Sequence, residues 1–411
     1  MEKKPVSRLE SRAGLRFLPY GRQLVEEDDV EAVAGAMRSG WLTTGPAVRA
    51  FEETLAAKVQ GRYAVSCASG TAGLHLAMIA LGIGSGDAVV VPTVTFVATA
   101  NVVRHVGAEV VFADVDPDTG LMGAAQFAEA LERTGDAPVK AAIPVHLAGQ
   151  CAGLAEIARL AGERGIHVVE DACHAIGTRY GGTLVGSCRD SIMAVFSFHP
   201  VKTIAMGEGG AVTTNDQGLC ERLRLLRNNG MTHNPESFTQ TRMAFDGEGS
   251  PNPWYYEIHE VGFNYRASDL HCALGLSQLG KLDRFIAKRR QLADLYDELL
   301  APYAPVVRPL GRISGCRPAW HLYVVLIDFA AMGVARNEMM NTLREEGIGS
   351  QVHFIPVHKQ PYYARRYGNQ RLPGADAYYA RTLSLPLHPG MDEADAERVV
   401  DVLGRSLQAM T

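Results

Sequence analysis

The chain has no Cys-x-x-Cys pair, no apolar run long enough to span a membrane, no internal repeat, no low-complexity tract and no surplus of positive charge. Each absence removes a class of protein. Its seven cysteines, at 67, 151, 173, 188, 220, 272 and 316, are odd in number and widely scattered. They predict reduced thiols in a cytosolic protein, not a disulfide framework or a thiolate metal site. A net charge of −5 gives no general attraction to a polyanion, which argues against nucleic acid and an anionic membrane surface as partners. The first 16 residues carry Glu2, Lys3, Lys4, Glu10 and Arg12 and lack a signal-type apolar stretch, so a cytoplasmic setting is expected.

What is present is ordinary for a large globular protein. The 411 residues are 47% hydrophobic and 21% charged, near the averages for folded soluble chains. A chain of 44.4 kDa should bury roughly three quarters of the surface it exposes when unfolded, which leaves room for an extensive core. That length predicts one large domain and a smaller companion.

Glu26 to Arg38 reads as a helix, with Val30, Val33, Ala34 and Met37 on one face. The turn-rich Ser39-Gly40-Trp41-Leu42-Thr43-Thr44-Gly45-Pro46 follows. From Tyr63 to about Thr214 short β-branched runs alternate with helical patterns: Tyr63 to Cys67, Ala88 to Val91, Glu109 to Phe112, Lys140 to Val145 and Ile166 to Glu170. Strands separated by helices predict an α/β fold with a mostly parallel sheet and helices on both faces. Ligands of such sheets bind beyond the carboxyl ends of the strands, so the residues after each strand matter most. Beyond a polar stretch, Asn228 to Pro253, a long helical segment runs from Ser268 to Leu300. It is followed by a strand (His321 to Ile327), a helix (Asn337 to Glu346), a second strand (Ser350 to Phe354) and a closing helix after Asp392, the pattern of a small C-terminal α+β domain. The expected division is a polar leader at 1–18, a large domain at 19–285 and a small one at 286–411.

Three pieces have the composition of a cofactor site. Ser66-Cys67-Ala68-Ser69-Gly70-Thr71-Ala72-Gly73 follows a strand and opens a helix, where small residues let backbone N–H groups approach an anion. The same residues would also serve as a plain Ser-capped helix. The nearby Gly82-x-Gly84-x-Gly86 ends a helix and reads as a C-cap and turn instead of a dinucleotide fingerprint. Asp171, at the end of a buried strand, is costly there unless something cationic meets it, the alternative being a helix N-cap. Lys202, after Ser197-Phe198-His199-Pro200-Val201 and before Gly207-Glu208-Gly209-Gly210, could form a Schiff base, although a lone lysine is more often a solvated charge. Together the three meet the needs of pyridoxal phosphate: donors for the phosphate, an acid partner for the ring nitrogen and an amine for the aldehyde. His353 and His358 lack a companion Cys, Asp or Glu cluster, and no metal site is expected.

Here the sequence resembles the DegT-type sugar aminotransferases, a family of fold type I pyridoxal-phosphate enzymes. The likeness runs from about Pro19 to the last helix. It is carried by Ser39 to Pro46, Ser69-Gly70-Thr71-Ala72, Pro92-Thr93-Val94-Thr95-Phe96-Val97-Ala98-Thr99-Ala100-Asn101, Glu170-Asp171-Ala172, Phe196 to Lys202 and Gly262-Phe263-Asn264-Tyr265-Arg266. The resemblance implies that Lys202 holds the cofactor and shuttles protons while Asp171 faces the pyridine nitrogen. By the same likeness Gly70, Thr71, Ala72 and Ser197 hold the phosphate, Phe96 lies against the ring and His174 sits beside its 3-hydroxyl. Asn264, with Asn228 and Asn229 as rivals, would reach the phosphate of the other subunit in a homodimer with shared sites. Some relatives carry histidine in place of the lysine and remove a hydroxyl; this chain keeps Lys202, so transamination is expected.

Within the family, Pro19 to Gln23, Pro253 to Glu257, Trp320 to Tyr323 and Val352 to Tyr363 resemble the branch acting in pseudaminic acid biosynthesis. That implies transfer of an amino group from L-glutamate to C4 of a UDP-linked 4-keto-6-deoxy-N-acetylhexosamine. Tyr20, Trp41, Thr43, Tyr323 and His353 are the candidate substrate contacts. The Ser69-Gly70-Thr71-Ala72-Gly73 loop departs from that branch and is commoner in other sugar aminotransferases. The rival readings are a sister enzyme for a bacillosamine-type UDP-4-keto sugar or a perosamine-type GDP-4-keto sugar, and a non-catalytic sensor that binds a sugar nucleotide.

Overall fold

The computed structural model describes residues 16–135 and 137–408, so nearly all of the expected leader at 1–18 lies outside the described residues. A seven-stranded sheet forms the centre. Its strands are β1 (Tyr63–Cys67), β2 (Ala88–Pro92), β3 (Glu109–Ala113), β4 (Val139–Ala142), β5 (His167–Asp171), β6 (Met193–Ser197) and β7 (Gly210–Thr214), in the spatial order β1-β7-β6-β5-β4-β2-β3. Only β7 runs against its neighbours β1 and β6; the pairs β2–β3, β2–β4, β4–β5 and β5–β6 are all parallel.

Side chains alternate across a pleated strand, and here both faces are dry, which explains the near-continuous apolar runs. Val65, Val89, Val91, Val195 and Val212 belong to one buried cluster. Their neighbours Ala64, Val90, Ala194, Phe196 and Ala211 belong to the other. Helices α1 (Glu27–Arg38), α2 (Pro46–Val59), α3 (Gly70–Ala80) and α4 (Val97–His105) precede or thread the first strands. The segment expected as one helix from Ser268 to Leu300 is two, α5 (Asp269–Gly280) and α6 (Leu282–Leu300), separated at Lys281. The Lys281 ammonium is nearly buried among the carboxylates of Glu26, Asp28 and Asp29, so the joint is tied to the start of α1.

A three-stranded antiparallel sheet follows, β8 (Val307–Pro309), β9 (Tyr323–Ile327) and β10 (Thr382–Leu385), with β9 in the middle. The expected strand from Ser350 to Phe354 does not form. Gln351 exchanges one pair of backbone hydrogen bonds with Ser384, at 3.1 and 2.7 Å, and the chain then leaves the sheet so that His353 and Phe354 turn toward a cavity. No helix of the described residues is long and apolar enough to cross a membrane.

The sheet's functional edge is tightly drawn. Gly210 opens β7 opposite both Cys67 and Ser197, and a Cβ built there would lie 2.4 Å from the carbonyl carbon and oxygen of Ser69. Gly210→Ala should therefore lose about 1–3 kcal/mol of stability to backbone displacement. Gly280→Ala is its control: that helical position has nothing within 4 Å of a Cβ, and alanine there should gain about 0.5–1 kcal/mol. Chemical denaturation of both variants checks this; an equal loss in the two would remove the packing argument.

Candidate active site

Four strand ends meet at one edge of the sheet. After β1, Ser69 caps α3 by accepting the Ala72 N–H at 3.1 Å, leaving the N–H groups of Gly70 and Thr71 without an intrahelical acceptor. A side chain at Gly70 would collide with Ser197 Cβ at 2.8 Å and Cys173 Sγ at 3.1 Å. The glycine thus lets the helix start approach the ends of β5 and β6. A helix N-terminus presents free N–H donors and a favourable dipole to an anion.

Asp171 ends β5 and is 5% exposed. Its carboxylate is fixed from two sides: Thr99 Oγ donates to Oδ2 at 2.7 Å and the Cys173 N–H approaches Oδ1 at 3.2 Å. Thr95, one turn earlier, is hydrogen-bonded to Thr99 at 2.8 Å, so the start of α4 serves the strand end. Beyond β6 the chain makes a tight turn, closed by the Lys202 N–H donating to the His199 carbonyl at 2.8 Å. The Lys202 ammonium is held below its ordinary pKa by burial, a shift opposed by the neighbouring Cys173 and Asp171. A larger fraction of unprotonated amine results, the form that attacks an aldehyde.

These groups line one cavity of about 650 Å³. Gly70, Thr71, Phe96, Asp171, His174, Ser197, Lys202, Tyr20 and His353 all border it. Burial holds His174 well below the ordinary histidine range and lowers His353 to about 3; the Lys202 ammonium adds to both effects. Anion donors, a fixed carboxylate and a low-pKa amine around a cavity of this size fit a phosphorylated pyridine aldehyde.

A family model, the DegT/DnrJ/EryC1/StrS aminotransferases, matches residues 23–404. The chain belongs to the DegT/DnrJ/EryC1/StrS aminotransferase family. The spore coat polysaccharide biosynthesis protein SpsC of Bacillus subtilis (strain 168) is 39% identical over 390 residues, 94% of this chain and 96% of SpsC. Helicobacter pylori PseC, described as an aminotransferase involved in the biosynthesis of pseudoaminic acid, superposes with a TM-score of 0.86 at 26% identity, covering 96% of this chain and all of PseC. The PLP-form of the putative sugar aminotransferase Spr1654 from Streptococcus pneumoniae does so at 0.84 and 25% identity, over 96% of this chain and 100% of Spr1654. This DegT-family sugar aminotransferase therefore has the fold type I architecture and uses pyridoxal phosphate.

Some residues expected at the site lie elsewhere in the single chain. Tyr323 is 2% exposed, stacks on Tyr296 with ring centroids 4.6 Å apart and donates its hydroxyl to Asp297 at 2.6 Å; it does not reach the cavity. Ala72 has its N–H engaged by Ser69 and does not border the cavity. Trp41 is exposed, Thr43 bridges to Ser268 and Asn264 bridges to Asn228, all away from Lys202. Conversely Thr95, Thr99, Cys173, Glu208, His321 and Phe354 border the cavity without having been singled out from sequence. The four-residue spacing of Thr95 and Thr99 at a helix start was the available signal.

A lysine whose folded pKa is depressed destabilises the fold while charged; that penalty is full at low pH and fades as pH rises toward 10.5, where the unfolded chain also loses its proton. In cofactor-free protein the melting temperature of Lys202→Met relative to wild type should therefore be most favourable near pH 7 and decline steadily toward pH 10.5. A difference that does not change over that interval would show an unperturbed amine.

Proposed function

We propose that this aminotransferase moves an amino group from L-glutamate to C4 of a UDP-linked 4-keto-6-deoxy-N-acetylhexosamine, as in pseudaminic acid biosynthesis. The observation that carries the reading is the convergence of Lys202, Asp171 and the α3 N-terminus on one cavity that Tyr20 and His353 also border. The architecture shared with PseC along 96% of the chain supports the pathway. Bound in the cavity, pyridoxal phosphate supplies an aldehyde that carries the amino group and a ring that accepts electrons. The N–H groups of Gly70 and Thr71, with the Ser197 hydroxyl, would hold its phosphate, and Phe96 would lie against the ring. The Asp171 carboxylate, immobilised by Thr99 and Cys173, keeps a proton on the pyridine nitrogen. Nζ of Lys202 then acts as general base and acid, removing a proton from the donor's α-carbon and delivering one to C4 of the sugar. His174, uncharged, would offer an N–H to the ring's 3-oxygen.

Tyr20 and His353 are proposed to meet the sugar nucleotide from within the chain. Trp41, Thr43 and Asn264 can contribute only to the cavity of a second copy. Exposed apolar side chains support such a homodimer: Trp254, Val261 and Met243 lie on or beside the 228–264 segment, and Trp41 and Leu42 lie ahead of α2. All seven cysteines are unpaired, consistent with a cytoplasmic enzyme. A second reading, a sister enzyme acting on another nucleotide-linked 4-keto sugar, is favoured by the 39% identity to SpsC.

Hydrogen-bonding groups left unpaired by the wrong epimer discriminate more strongly than a missing methyl group. With glutamate as donor, kcat/KM should be highest for the L-arabino UDP-4-keto-6-deoxy-N-acetyl sugar, by on the order of tenfold or more over its D-xylo epimer and GDP-4-keto-6-deoxymannose. Preference for either competitor would transfer the assignment to the sister reading. No turnover of any ketosugar, with no visible absorbance from added cofactor, would point to a sensor.

A further inference from the structure

Besides the exposed His199 and the buried His174 and His353, the buried imidazole of His321 borders the cavity. It too is held uncharged, by burial first and then by His174, Lys202, Arg289 and His353. A neutral imidazole has one donor and one acceptor nitrogen, so the position of its proton decides what it can do. For His174 that position follows from a backbone contact. The Ala148 N–H donates to His174 Nδ1 at 3.3 Å, which makes Nδ1 the acceptor and puts the proton on Nε2.

The same alanine holds His321. The His321 N–H donates to the Ala148 carbonyl at 3.1 Å. Ala148 makes both contacts from a left-handed conformation, φ 59°, a strained one for a residue with a side chain. The other end of the His321 peptide is fixed from α6: Nη1 of the fully buried Arg289 donates to the His321 carbonyl at 3.0 Å and to the Leu387 carbonyl at 2.8 Å. Between these ties the His321 ring stands at 63° to that of His174, with centroids 4.5 Å apart. Its side chain makes no hydrogen bond among the described residues, and Nδ1 is buried without a partner. The backbone thus sets where the ring sits, and the ring bears on His174.

We propose that His321 is a positioning residue: with Ala148 it holds the His174 ring so that Nε2–H faces the 3-oxygen of the bound cofactor. This rests on the reading above that His174 meets that oxygen. A donor at that oxygen alters the electronic distribution of the ring, so the visible absorbance band of cofactor-loaded protein reports its orientation without turnover. His174→Phe removes the donor and should shift the band maximum. His321→Ala opens space beside His174 and should shift the band in the same direction by a smaller amount, while His321→Phe, which restores a flat ring, should return it to the wild-type position. His321→Leu, a space-filling but non-planar replacement, should behave like the alanine variant and serves if the latter does not fold. An unmoved band in both His321→Ala and His321→Leu, with a shifted one in His174→Phe, overturns the positioning role. So does a His321→Phe variant that shifts as far as His321→Ala. An unmoved band in His174→Phe overturns the underlying reading of His174 instead.

Discussion

The close approach of three chain segments at Gly70 is the constraint on which the rest of the site depends. Here the start of α3 lies against the end of β6 and the loop after β5, with 2.8 Å between a Cβ built at Gly70 and the Cβ of Ser197. Gly210 permits the matching approach from β7. Because these contacts leave no room for side chains, the helix N-terminus, the strand-end carboxylate and the lysine turn cannot separate without unpacking the sheet edge. The geometry is a property of the core and not of mobile loops, which is how a rigid scaffold holds functional groups in register.

Electrostatics follow from that packing. A cavity bordered by Asp171, Lys202 and four imidazoles could in principle carry much positive charge, yet burial disfavours protonation of His174, His321 and His353 and depresses Lys202. The cavity therefore offers neutral N–H donors beside a single amine. An amine of lowered pKa can both accept and donate a proton, which is what the role proposed for Lys202 requires. Asp171 remains fixed by hydroxyl and backbone donors, not by an arginine that would compete for its charge.

Much of this was legible in the sequence, for definite reasons. Strands such as Ala88 to Pro92 read clearly because both faces are buried, giving unbroken β-branched runs. Asp171 closes a strand, and the Ser69 cap and Lys202 lie in the segments that follow strands, where a parallel sheet places its ligands. Helix α2 went unassigned in the sequence; its buried face includes Glu52, a charge whose partners Arg227 and Ser66 lie in other elements. Ser350 to Phe354 has strand composition, but its direction is set by His353 and Phe354 turning to the cavity. Tyr323 could not be told from a ligand contact by residue type, since burial against Tyr296 and Asp297 is a tertiary fact. His321 lay within a motif read for its likeness; its contact with His174 depends on a backbone conformation at Ala148 that no local pattern announces.

Covalent capture of the cofactor tests the central claim most directly. Borohydride reduction of protein loaded with pyridoxal phosphate, followed by digestion and mass spectrometry, should bleach the visible band and leave one modified residue, Lys202. A label at any other lysine, or none on protein that is visibly loaded, would contradict the assignment of Lys202 as the amine on which the site is built.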